Sequence, residues 1–139
     1  MLAATSVRDV VSPTKRRRNT GPSRKVRDLV REREGDACAR CGLRDGGHVW
    51  PRHQIHHRRP RGLGSSRAAD TNDPPNLVLL CALACHGFVE SYRAQATMDG
   101  WLVRQGHDPA TVPVLYRGSW RLLEADGSLG AVVAGPAAA

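Results

Sequence analysis

Ile55-His56-His57-Arg58-Arg59-Pro60, Pro75-Asn76-Leu77-Val78-Leu79-Leu80-Cys81 and Cys85-His86-Gly87-Phe88-Val89-Glu90 are successive segments of one stretch, and their reading decides the fold. Val49, Trp50 and Ile55 favour extended structure interrupted at Pro51, so a strand ends near His57. Asn76 opens a continuous apolar run to Leu80, the length of a strand covered on at least one face. From Cys85, the residues Phe88, Val89, Tyr92 and Ala96 fall on one helical stripe, with Gly100 as the stop. Strand, buried strand and helix therefore follow one another, with histidines at the end of the first and the start of the last.

Cysteine usage frames that stretch. Cys38-Ala39-Arg40-Cys41-Gly42 lies upstream, and Cys81 and Cys85 close the buried strand and open the helix. Two close pairs about forty residues apart supply four thiolates, enough for a tetrahedral Zn²⁺. Gly42 eases the backbone where the first pair's loop reverses. Two disulfides or free core cysteines are the alternatives. A closed structural zinc site would also stiffen a small domain that has only three Trp, two Tyr and one Phe.

Working outward, Ser23 has the character of a helix N-cap. Val26, Leu29 and Val30 follow at helical spacing up to Gly35, among charged residues. Beyond Gly100, Trp101-Leu102-Val103 is followed by residues 112–117 and 120–124, which flank Gly118-Ser119 as a C-terminal hairpin with a packing role. The expected division is a basic disordered tail over 1–23, one domain over 24–129 and a flexible tail over 130–139. The run Lys15-Arg16-Arg17-Arg18 reads either as a solvated tail or as a phosphate-binding arm.

The net charge of +8 over 139 residues favours a polyanionic partner. A membrane partner is disfavoured, because no apolar run approaches the roughly 20 residues of a spanning helix. The start lacks the apolar core of about 7–15 residues that marks a secretory signal, so the expected compartment is a reducing cytoplasm, where paired cysteines favour metal over disulfides. Arg58, Arg59, Arg61 and Arg67 lie in a loop with Gly62, Gly64, Ser65 and Ser66. No acid occurs from Gly46 to Ala69. Unopposed arginines on a flexible loop suit phosphate contacts with nucleic acid, against the plainer reading of a soluble loop.

A neutral imidazole serves near pH 7 as metal ligand or general base. His56 and His57 are adjacent on a strand, so they face opposite ways and take different jobs. His86 and Glu90 are four apart on a helix and share a face. His56, His86 and Glu90 can thus hold one divalent cation, leaving His57 to take a proton from water. The plainer view is that these histidines are hydrogen-bonded surface residues.

The set Cys38-x-x-Cys41, Ile55-His56-His57-x-x-Pro60, Asn76-Leu77-x-x-Leu80-Cys81 and Cys85-His86-Gly87 resembles the HNH endonucleases, a ββα-metal nuclease family, over roughly residues 25–95. It looks most like phage-encoded members with a four-cysteine zinc site, some of which act with the terminase in genome packaging. The resemblance implies an α+β fold: a small zinc-stabilised ββα-metal domain with an N-terminal helix and a C-terminal hairpin. It implies that His56 and His86 are metal ligands, that His57 is the general base, and that Asn76 holds the base-bearing loop in place. Where many relatives carry a second helix histidine, this chain has Glu90. A carboxylate there favours Mg²⁺ or Mn²⁺, with Zn²⁺ and Ni²⁺ also compatible. The implied function is hydrolysis of phosphodiester bonds in double-stranded DNA, by nicking or double-strand cleavage, leaving 5′-phosphate and 3′-hydroxyl ends. A non-catalytic zinc-stabilised DNA-binding module and a terminase-associated packaging subunit are the competing readings.

Overall fold

The computed structural model describes residues 19–46, 52–61, 68–82 and 84–137. The basic run at 15–18 and Arg67 lie outside them. The described residues form a small α+β unit with two antiparallel sheets.

Helix α1 spans Arg24–Glu34. The Ser23 side chain accepts from the Val26 N–H at its start, and Gly35 closes it at φ 63°, a left-handed geometry that costs glycine little. Strand β1 (Gln54–His57) pairs with β2 (Leu77–Leu80), with Ile55 opposite Leu79 and His56 opposite Val78. All four β2 residues are buried. Leu77 and Leu79 cluster with Val30 of α1, with Val26 and Ile55 packed alongside. Val78 and Leu80 join the other core cluster, with Val89, Ala96, Trp101 and Leu123. The two-stranded ribbon is thus covered on both faces, which is why β2 is apolar without alternation.

The single helix expected after Cys85 is two: α2 (Cys85–Ser91) and α3 (Arg93–Met98). Tyr92 between them has φ −115° and ψ 57°, outside the helical region. The break turns Tyr92 out of the apolar stripe. Its ring is largely exposed and stacks on Phe88 at 5.5 Å, while Val89 and Ala96 stay in the core.

The expected hairpin forms as β3 (Val114–Tyr116) and β4 (Ser119–Leu123). Arg117 and Gly118 carry positive φ of 45° and 84°, as a tight two-residue turn of this hand demands. A third strand, β5 (Leu129–Val132), pairs with β4 and carries the sheet past the boundary expected at 129. Its Gly130 is buried so close to β4 that a Cβ there would meet the Leu122 backbone and the Glu124 side chain. The small residues that read as a tail are what allows the close approach. No helix among the described residues is long and apolar enough to cross a membrane.

Candidate metal centres

The first centre is built from two backbone turns. Cys38 and Cys41 sit on a reversal held by Gly42 N–H to the Cys38 carbonyl and Cys38 N–H to the Leu43 carbonyl, both 2.8 Å, with Gly42 at φ 77°. Cys81 directly follows β2, and Cys85 starts α2 with its own N–H donating to the Cys81 Sγ at 3.3 Å. Ala39 N–H bonds the Leu79 carbonyl at 2.8 Å and so ties the two turns together. Each cysteine offers a sulfur within 4.8 Å of the others. Cys41 and Cys81 sulfurs are 3.9 Å apart. Zn–S bonds of about 2.3 Å set neighbouring sulfurs of a tetrahedron about 3.8 Å apart, whereas a disulfide needs about 2.05 Å. All four thiols are free. The donor set and its spacing suit a structural zinc ion.

The thiols differ in their electrostatics. Burial pushes Cys81 and Cys85 above the ordinary value. Burial also acts to raise Cys38, but backbone N–H groups of Cys41, Cys81 and Arg40 outweigh it and bring that thiol below the ordinary value. A cation is needed to hold all four as thiolates together.

The second centre lies in a cleft of about 360 Å³ lined by His56, His57, Arg61, His86, Glu90 and Arg93, among others. His56, His86 and Glu90 each offer a ligand atom within 4.8 Å of the others. The strand supplies His56 from the face turned toward α2, and the helix supplies His86 and Glu90 one turn apart. The imidazoles of His56 and His86 meet edge to face at 5.5 Å between ring centres. His56 Nε2 lies 3.3 Å from the Trp101 carbonyl oxygen. A carbonyl only accepts, so Nε2 carries the proton and Nδ1 keeps the lone pair for a ligand bond. Burial, and then the neighbouring His86, pull the His56 pKa down to about 4, which keeps the ring neutral at pH 7. Glu90 is exposed and pairs at 3.7 Å with Arg93.

His57 lines the same cleft and is half-buried, its pKa lowered chiefly by burial. Asn76 is buried, with its amide wired into the backbone around His57. Its Oδ1 accepts from Arg59 N–H at 2.7 Å, and its Nδ2 donates to the Thr71 carbonyl at 2.8 Å. Its carbonyl accepts from Arg58 N–H at 2.8 Å. The loop leaving β1 is clamped on both sides.

The arginines expected to hold nucleic acid need correction. Arg58 is fully buried. Its guanidinium donates to the carbonyls of Gly100, Pro75, Pro109 and Val112 at 2.7–3.0 Å, so it is a strut and not a phosphate contact. Burial, and then Arg33, lower its pKa to about 9. Arg59 is also buried, bonded to the His107 carbonyl and paired with Asp70. The counter-ion lay just past the acid-free stretch in the chain. Arg61 remains at the cleft, bonded to the Thr20 carbonyl. The sequence assigns no role to two further residues, Arg93 at the cleft and Asn72 beside His57. Arg93 is three residues after Glu90, a spacing that would have placed it on the same face. Asn72 touches His57 from fifteen residues away, and no local pattern marks it.

No family model matches the chain, and no curated protein or solved structure shows significant similarity to it.

Proposed function

We propose that this chain is a metal-dependent endonuclease of the HNH type, acting on double-stranded DNA. The observation that carries the reading is the meeting of His56, His86 and Glu90 ligand atoms within 4.8 Å, in a cleft that His57 and two arginines also line. His86 and Glu90 come from one helix and His56 from a facing strand, a donor set with room for water and phosphate. A divalent ion bound there supplies positive charge against the scissile phosphate and its departing 3′ oxygen. His57 takes the proton from the attacking water. Arg61 and Arg93, which both line the cleft, hold the strand. Asn76 keeps the loop after His57 from shifting.

Burial of Arg58 and Arg59 removes half of the loop's expected phosphate contacts, a loss that bears equally on the nuclease and on a non-catalytic DNA-binding module. Service to phage DNA packaging rests on the sequence resemblance alone. The test is supercoiled-plasmid cleavage by the zinc-loaded protein across Mg²⁺, Mn²⁺, Ni²⁺ and Zn²⁺, with His57→Ala alongside. The expected outcome is nicking by the native protein, with the variant slower by about 10²–10⁴-fold and unchanged in DNA binding. Equal cleavage by the variant removes His57 as the base. Binding without cleavage under every ion favours the binding module.

A further inference from the structure

Asn72 stands between the cleft and the segment that leads into α1. Its Oδ1 lies 2.9 Å from His57 Nε2, and its Nδ2 donates to the Thr20 carbonyl at 3.1 Å. The Thr20 carbonyl only accepts, so it fixes which end of the amide faces which neighbour. Turning the amide over would oppose two oxygens at Thr20 and present an N–H₂ to the ring. Oδ1 must therefore face His57, and Oδ1 only accepts, so His57 Nε2 must carry the ring proton. The lone pair is then on Nδ1.

Two more contacts hold this arrangement still. Arg61 also donates to the Thr20 carbonyl. Asn76 Nδ2 holds the carbonyl of Thr71, the residue before Asn72.

We infer that Asn72 is a positioning residue for His57, selecting the tautomer in which Nδ1 is the basic nitrogen and orienting the ring toward the cleft. The inference rests on the nuclease reading, because it assigns Asn72 a task only if His57 is the base. Asn76 acts on backbone; Asn72 acts on the base itself. A neutral partner suffices, because Asn72 is locked by its second hydrogen bond and needs no charge to keep its direction.

The test uses the full chain with its four cysteines zinc-loaded. Two variants are compared with the native protein. Asn72→Leu removes the acceptor at similar volume, and Asn72→Asp keeps an oxygen facing His57 while giving up the hydrogen bond to the Thr20 carbonyl. Imidazole ¹⁵N shifts report the His57 tautomer without any catalytic ion, and plasmid nicking in Mn²⁺ reports kcat and KM. Expected are an Nε2–H ring in the native protein and Asn72→Asp, and a mixed tautomer population in Asn72→Leu. With it, kcat in Asn72→Leu falls about 10–100-fold at unchanged KM, the size usual for losing an orienting partner. Native kcat in Asn72→Leu, or a lower kcat with unaltered ring nitrogens, overturns the inference. If His57→Ala cleaves like the native protein, the nuclease reading itself falls. If His57→Ala is inactive while Asn72→Leu is unimpaired, only the role of Asn72 falls.

Discussion

His56 has a carbonyl behind its Nε2 and the His86 ring facing it across the cleft. Burial and the facing His86 keep it neutral, with His57 and Arg58 adding to the repulsion of a proton. Its pKa in the fold, about 4, lies below the ordinary 6.5, so the folded state binds fewer protons than the unfolded chain between those values. Stability from this group is present above pH 6.5 and is lost as pH falls toward 4. The full effect is on the order of 3 kcal/mol. Chemical denaturation of the zinc-loaded protein without a second ion, compared with His56→Asn, should show the native protein losing stability more steeply across that window. Glu90 is the opposite case, an exposed carboxylate shared with Arg93. An ion must take Glu90 from that partner. Arg93→Ala should therefore tighten Mn²⁺ binding, by no more than about fivefold since exposed pairs contribute about 1 kcal/mol or less. Calorimetry reads the change, and looser binding would show that Arg93 supports the ligand set.

At the scale of elements, Arg58 does what an apolar residue would do in a larger protein. It gathers the turn before β2, the end of α3 and the turn before β3 through four carbonyls. Its loss leaves those carbonyls buried and unpaired. Arg58→Met should destabilise the protein by about 3–5 kcal/mol, and Arg58→Lys should recover little, since an ammonium has three donors and no planar fork. Thermal melts decide this; a native-like melt with selectively weaker DNA binding would return Arg58 to the phosphate-contact role. The α2–α3 break belongs here too. A straight helix would bury Tyr92 with Val89 and Ala96. The observed one stacks Tyr92 on Phe88, which in turn lies under the Arg40 guanidinium at 3.9 Å. That arrangement links the outer face of α2 to the cysteine turn, since Arg40 sits between Cys38 and Cys41.

At the scale of the molecule, the four-cysteine centre joins everything else. Its first turn bonds β2 through Ala39, and Arg117 of the C-terminal sheet reaches the Cys38 and Glu34 carbonyls at 3.2 and 2.7 Å. Its second turn sets the start of α2 and so the direction of His86. Zinc removal by a strong chelator at neutral pH, or Cys38→Ser, should collapse both sheets in one transition, followed by circular dichroism with a zinc-release dye. A native-like melt in zinc-free protein would refute this.

Much of this was legible along the chain. The caps Ser23 and Gly35, the apolar run of β2, the two cysteine pairs and the His86–Glu90 spacing are local patterns, governed by backbone geometry within a few residues. They determined α1, the buried strand, the thiol centre and which side chains share a helix face. Only tertiary packing decided that Arg58 and Arg59 turn inward, that β5 joins the second sheet, and that Asn72 meets His57. Each depends on which distant carbonyl, counter-ion or strand edge comes within hydrogen-bond reach. A charged residue's sequence neighbours do not say whether water or four buried carbonyls will accept its hydrogen bonds.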